Sequence, residues 1–258
     1  MKLERERFKK IKRKLLKRND IYFEYVTPAL LDLIILSNAK NKKLHECTQT
    51  AINTAILGSS GIYINIIVLE QAESVQYNYC QTIRMKGEFN YNKYSNYGAS
   101  LGKAKWIMIA NNDLIFANNW LVELLKPNYD VVSPHEPRFH LQSSIKRDTK
   151  GVINGKHFSG WCFMISRVVW SKIGGFDEEF KFWFADNSAI EQFVNIGIIP
   201  MVVKKSIVYH LVNTTLKTLN EEQINSNTWE LVEKFNFKYN RDIFCNDPRY
   251  LEWKKMNL

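Results

Sequence analysis

The chain has 258 residues, of which 45% are hydrophobic and 24% charged, with a formal net charge of +10. That length and mix suit one large folded domain with a sizeable core and argue against an intrinsically disordered or fibrous chain. No apolar run approaches the roughly 20 residues that span a bilayer. The charged N-terminus lacks the apolar stretch of a secretory signal. Cys47, Cys80, Cys162 and Cys245 are scattered without metal-finger spacing, so reduced thiols in the cytoplasm are expected.

The charge is concentrated at one end. Residues 1–18, MKLERERFKKIKRKLLKR, hold ten Lys/Arg and two Glu, a net of +8, which leaves only +2 for the rest. Phe8, Ile11 and Leu15 recur there at helical spacing, so residues 1–20 read as a basic amphipathic extension. Such a helix suits an anionic membrane surface or a nucleic-acid backbone; packing of its apolar stripe on the domain is the plainer alternative.

From residue 21 onward the chain reads as one α/β domain. Leu31–Leu36 is a buried strand ending in Ser37-Asn38, followed by a helix over Lys42–Leu57 that Gly58-Ser59-Ser60-Gly61 stops. Ile62–Leu69 is a second strand closing on Glu70, which completes a right-handed βαβ unit. A short strand near Thr82–Arg84 precedes Phe89–Phe116: a polar aromatic loop, a helix with Gly98 and Gly102 on one face, the strand Trp106–Ala110, then Asn111-Asn112-Asp113. Alternating elements predict a mostly parallel sheet with helices on both faces. No GxGxxG or GxxxxGK[ST] follows any strand, which removes both common nucleotide fingerprints.

Trp120–Leu125 reads as a helix ended by Pro127, Val131–Ser133 as a strand, and Pro134–Lys156 as a long binding loop or lid. Gly160–Ile165 is strand-like, Ser166 caps a helix reaching Ile173, and Gly174-Gly175 stops it. Phe176–Asn187 mixes acids and aromatics before a helix over Ser188–Asn195. A late strand at Ile207–His210 and a helix over Glu221–Phe235 follow.

Polar groups fall at the strand ends: Ser37, Asn38, Glu70, Asn112 and Asp113, with Asp186 and His210 available from the second half. Ligands of open α/β sheets bind at the carboxyl edge. A carboxylate beside an imidazole can hold a hard metal whose other ligands are phosphate oxygens and water, and a separate carboxylate can serve as general base. Each residue also has a structural alternative. Asp113 and Asp186 can cap the helices that follow them, Glu70 can simply end a strand, and His210 can be a satisfied core histidine. Phe180, Phe182, Trp183 and Phe184 fit a core better than a substrate platform. His45, His135, His140 and His157 form no usable pattern.

In order, LDLIILSNAK, INIIVLEQAES, FNYNKYSNYGASLGKAKWIMIANND, GWCFMISRVVWSKIGGFDEEFKFWFADN and VYHL resemble glycosyltransferase family 2 with the GT-A fold, over roughly Leu31–Leu211. The resemblance implies a nucleotide-sugar half at about 28–115 and an acceptor half at about 116–258. The donor, a UDP-sugar first of all, would meet Ser37, Asn38, Glu70, Asn96 and Asn112. Asp113 and His210 would hold Mn²⁺ or Mg²⁺, and Asp186 would be the base of an inverting displacement. Asn111 and Ala185 depart from the carboxylates usual at those positions, and Leu36-Ser37-Asn38-Ala39 departs from the usual end of the first strand.

Three readings follow: transfer to a glycan or glycolipid, transfer to hydroxymethylated DNA bases held through residues 1–18, or a degenerate fold that binds a sugar or polyanion without chemistry. An Asn-, Lys-, Ile- and Tyr-rich composition fits an AT-rich bacterial or phage genome. The expected place is the cytoplasm, at the inner membrane face or in a phage-infected host.

Overall fold

The computed structural model describes residues 28–211 and 228–257. The basic extension and the first turns of the helix expected over Glu221–Phe235 lie outside the described residues.

The chain builds β1 (Leu31–Ser37), α1 (Lys42–Gly58), β2 (Ile64–Glu70), β3 (Gln81–Arg84), α2 (Tyr91–Leu101), β4 (Trp106–Asn111) and β5 (Leu114–Phe116). Then come α3 (Trp120–Leu125), β6 (Val131–His135), β7 (Thr149–Lys150), β8 (Cys162–Ser166), α4 (Arg167–Ile173), α5 (Ala185–Asn195) and β9 (Met201–His210). Helices α6 (Thr228–Tyr239) and α7 (Pro248–Asn257) close the described chain. The sheet order is β3-β2-β1-β4-β8-β6-β9-β5, with β7 pairing on β9. Strands β1 to β4 are parallel, and β8 then runs antiparallel to both β4 and β6. The sheet is therefore mixed and, as expected, mostly parallel, flanked by helices. An apolar run such as CFMIS carries no mark of strand direction, so its pattern could not show the reversal.

Alternate residues of β1 feed two cores. Leu33 and Ile35 pack with α1 and α3, while Ile34 and Leu36 pack with α2 and α5, as a period of two requires for a strand covered on both faces. Gly98 allows α2 to close on this surface. A Cβ there would lie 2.5 Å from Cγ2 of Ile34. Gly102 lies just past the helix, where a Cβ would meet the Asp32 carboxylate at 2.2 Å. Asn41 starts α1 by accepting from Leu44 N at 3.0 Å, and Ser166 starts α4 by accepting from Val169 N at 3.2 Å. Gly174, at φ 71°, ends α4 in the left-handed region.

Strand registers align the polar ends. Ser37 sits beside Glu70, Leu36 beside Asn111, and Ala110 beside Cys162, so the Asn111 amide donates to the Trp161 carbonyl at 2.9 Å. No helix among the described residues is long and apolar enough to cross a membrane.

Candidate active site

Five polar side chains form one buried network at the carboxyl ends of β1, β2 and β4. Asn112 Nδ2 donates to Ser37 Oγ at 3.2 Å and to Thr48 Oγ1 at 3.0 Å. Thr48 hands its own proton to the Leu44 carbonyl, and Ser37 Oγ lies 3.3 Å from the Tyr77 hydroxyl. Tyr77 donates to Glu70 Oε2 at 2.6 Å, while Glu70 Oε1 accepts from the amides of Ala39 and Ala72 at 2.9 and 2.6 Å. Burial, then the bond to Glu70, pushes the Tyr77 phenol far above its ordinary range, so it stays a donor. Glu70 thus clamps the loops after β1 and β2 together. Its carboxylate is engaged by the protein and shapes this edge from within. Asn38, half-buried, donates to Gln71 Oε1 at 3.1 Å and stands at the rim of the same edge.

Asp113 stands in the bend between β4 and β5 and precedes a strand rather than a helix; the next helix starts at Trp120 with Asn119 in its cap position. This removes the capping role for Asp113. The pairing of β5 with β9 sets Leu114 beside His210, and His210 Nε2 lies 3.1 Å from Asp113 Oδ1. Two residues about a hundred positions apart are thereby brought into contact inside the fold, with Asp113 5% exposed. The main chain of His210 is pinned as well. Its N–H donates to Glu136 Oε2 at 2.6 Å, and Arg138 Nη2 donates to its carbonyl at 3.3 Å. Arg138 also grips Glu136 through Nε and Nη2 at 3.0 and 2.8 Å. Burial pulls the Glu136 carboxyl upward, but Arg138 and the amides of Arg138 and His210 outweigh it and hold the group below its usual range.

Beside this pair opens a cleft of about 720 Å³, within the size range of small-molecule sites. Trp161 joins the two. Its indole stacks on His210, with centroids 5.1 Å apart and 19° between planes, and it also lines the cleft. Asn111 and Gly160 stand next to it. Phe182, Trp183 and Phe184 form another wall, and Ile243 and Phe244 close a third side from the turn between α6 and α7. Phe180, by contrast, is fully buried against Phe235 and Tyr239. Three of the four aromatics expected in the core therefore line the cleft.

Asp186 lies in the first turn of α5, and Phe184 occupies the cap position at φ 65° with no side-chain cap bond. A bulky residue in the left-handed region costs on the order of 1–3 kcal/mol, and such outliers gather at functional sites. Burial raises the Asp186 carboxyl above the ordinary aspartate range, against hydrogen bonds from the Asn154 amide and the main-chain amides of Asp186 and Asn187. Asn187 N donates to Asp186 Oδ1 at 3.1 Å. Gly160 makes room for it; a Cβ there would lie 2.9 Å from Asp186 Oδ2. Tyr91 donates to the Gly160 carbonyl, and burial together with Asp186 and Cys162 keeps that phenol protonated.

Asn96 is engaged with the loop before α5. Its amide bonds both main-chain groups of Phe176, at 2.7 and 2.8 Å, and reaches Glu178 Oε1 at 3.0 Å. Asn90 and Asn92 hold the Glu178 and Asp177 carbonyls at 2.9 and 2.8 Å. Helix α2 thus straps down the loop that leads to Asp186. Sequence reasoning missed Thr48, Tyr77, Trp161, Asn154 and Glu136. Only Thr48 carried a signal, as a hydroxyl among the apolar positions of α1.

For a divalent cation, Asp113 and His210 are donors of suitable type in contact. No group of three or more His, Cys, Asp or Glu side chains that could hold a metal occurs among the described residues. The pair fits an ion completed by phosphate oxygens and water, not a self-sufficient metal centre. In comparisons with known proteins, no family model and no curated protein matches the chain.

Proposed function

We propose that the protein is a glycosyltransferase that moves a sugar from a nucleoside diphosphate, UDP first of all, to a hydroxyl of an acceptor glycan or glycolipid. One observation carries this reading: Trp161 is a shared wall, stacked on an imidazole that contacts Asp113 and facing a cleft that holds Asp186. A metal-and-diphosphate pair of ligands and a candidate base thus meet at one indole.

The residues divide the work. Asn112, Ser37 and Thr48 form the buried floor under the donor, with Asn38 at its rim. Asp113 and His210 would hold Mn²⁺ or Mg²⁺; when bound, that ion neutralises charge developing on the departing diphosphate. Asp186 takes the proton from the acceptor hydroxyl. The acceptor oxygen forms its bond to the anomeric carbon on the face opposite the diphosphate. The bond from that carbon to the diphosphate oxygen breaks, and its electron pair leaves with the nucleotide, so configuration inverts. A carboxyl raised by burial is a stronger base than an ordinary aspartate, which suits it to this task.

The test is release of nucleoside diphosphate from a panel of nucleotide sugars, with and without EDTA, by wild-type and Asp186→Asn protein. EDTA-sensitive release that Asp186→Asn abolishes is the expected result; full turnover by the variant would remove the base assignment. A second reading, a non-catalytic sugar binder, is favoured by Asn111 and by the two-donor limit of the metal site. It predicts binding of nucleotide sugar with no release at all. Transfer to hydroxymethylated DNA would require residues 1–18 on phosphates, and its affinity should fall steeply with salt.

A further inference from the structure

The cleft over Asp186 has a composition at odds with the charge of the whole protein. The chain carries +10, yet among the described residues no Lys, Arg or His lines this cavity, and its ionisable acid is Asp186. The polar groups beside the carboxylate are neutral amides, Asn111, Asn154 and Asn187. Asn154 Nδ2 donates to Asn187 Oδ1 at 3.0 Å, so the two amides stand as an ordered pair. Everything else in the lining is aromatic, aliphatic or glycine.

The outer wall is held in place rather than draped. Asn236, on α6, bonds both main-chain groups of Ile243, donating to its carbonyl at 3.0 Å and accepting from its N–H at 3.1 Å. This amide mimics a strand partner and fixes the turn that presents Ile243 and Phe244 to the cleft. Phe244 sits at φ 59°, half-exposed, with its ring 6.1 Å from that of Trp229. Strained positions of this kind gather at ligand sites, and this one stands in the lining of the cleft.

From these features we infer that the cleft takes an uncharged saccharide ring, seated between Trp183 and Phe244 with its hydroxyls on the Asn154–Asn187 pair. The C–H face of a pyranose matches an apolar aromatic wall, and its hydroxyls match donors and acceptors that carry no charge. An anionic ring or a phosphodiester would bring negative charge onto Asp186 with no cation among the described residues to offset it. The Asn236-clamped turn is then what selects the acceptor. Its consequence for specificity rests on the transferase reading; the binding itself does not.

Saturation-transfer NMR on the full chain tests this, with 4-nitrophenyl β-D-glucoside, β-D-galactoside, the β-D-glucuronide, and free 4-nitrophenol as control. At least one neutral glycoside should receive saturation on its sugar-ring protons, with binding about tenfold weaker in Trp183→Ala and in Phe244→Ala. The glucuronide should bind about tenfold more weakly than its neutral counterpart. Equal or tighter binding of the glucuronide, or of a 12-base-pair duplex, lost in Trp183→Ala, would overturn the inference. So would saturation confined to the nitrophenyl ring, or no binding of either neutral glycoside. A parallel thermal shift with Mn²⁺ and UDP separates the two readings. Glycoside binding without a nucleotide shift leaves this inference standing and sinks the transferase. A nucleotide shift without glycoside binding does the reverse.

Discussion

The two edges of the sheet each bury carboxylates and use them in different ways. At the amino edge, Asp32 is 1% exposed and accepts from Asn65 Nδ2 at 2.8 Å, Ala104 N at 2.8 Å and Arg167 Nη2 at 2.7 Å. Arg167 in turn donates to the Ala104 and Ala99 carbonyls at 2.7 and 2.9 Å. Charge is matched there by charge, Arg167 Nη2 lying 2.7 Å from Asp32 Oδ2. At the carboxyl edge, Asp186 meets amides instead of a guanidinium, its carboxyl is raised, and it opens on a cleft. The amino edge locks the fold with a buried ion pair; at the carboxyl edge Glu70 and Glu136 are locked likewise, while Asp186 opens on the cleft. A perturbed carboxyl in a cleft marks a functional candidate, whereas a satisfied ion pair marks structure.

The sharpest way to break this contrast is Asp186→Asn. General-base removal lowers turnover by about 10²–10⁴-fold, while the neutral amide relieves the burial of a charge, so thermal stability should hold or rise. The sign follows from linkage. A folded-state carboxyl raised above its unfolded value adds stability that is full below the ordinary aspartate range and lost as pH rises through the folded value. The stability advantage of the variant should therefore appear only above that range. Nucleotide release and thermal melts across pH measure both. A variant that melts lower than wild type at neutral pH would mean Asp186 is structural.

Arg167→Met is the mirror experiment. It strands Asp32 in the amino edge, and breaking a buried pair costs about 3–5 kcal/mol, with the lower end expected because the Arg167 side chain is 27% exposed. In a chain of this size that lowers the melting temperature by roughly 6–12 °C. Turnover per folded molecule should stay unchanged. A selective loss of turnover would show that the two edges are not independent.

Much of this frame was legible in the sequence, because strands buried on both faces need unbroken apolar runs. LDLIIL, WIMIA and their polar endings marked β1, β4 and the carboxyl edge, and Ser166 with Gly174 bounded α4 to the residue. What the sequence could not show was adjacency. Nothing in CFMIS reveals that β8 runs antiparallel and delivers Trp161 beside Asn111. Nothing in FKFWF separates Phe180, in the core, from Phe182 and Trp183 on the cleft, since aromatic residues serve both. Glu70 was placed correctly at a strand end, but the amides of Ala39 and Ala72 that occupy it converge only in three dimensions. The same holds for Asn96, whose partner Phe176 is 80 residues away.

Glu136→Gln probes how much of the carboxyl edge depends on its frame. The glutamine oxygen can still accept from His210 N, but the charge that fixes Arg138 is gone. Stability should fall by about 1–3 kcal/mol, and Mn²⁺-dependent UDP binding should weaken more than nucleotide binding without metal. Because this carboxyl is held below its usual range, its contribution is present above the ordinary glutamate value and lost as pH falls through the folded value. Wild-type metal-dependent binding should thus fail on the acid side earlier than folding does, and the variant should lack that step. Calorimetric titration at two pH values is the measurement.

The smallest effect is expected where charge lies outside both edges. Lys181 Nζ pairs with Glu88 Oε2 at 2.6 Å, but their side chains are 56% and 74% exposed. Exposed pairs contribute about 0–1 kcal/mol and weaken with salt. What ties this loop to α2 is the main chain, with Tyr91 N donating to the Lys181 carbonyl at 2.5 Å and the Asn90, Asn92 and Asn96 amides holding residues 176–178. Lys181→Met should leave melting temperature, glycoside binding and turnover within error of wild type. Asn96→Ala, which strips both main-chain bonds from Phe176, should cost about 1–3 kcal/mol and loosen the loop before Asp186. If Lys181→Met proved the more damaging of the two, surface charge would be what sets the cleft.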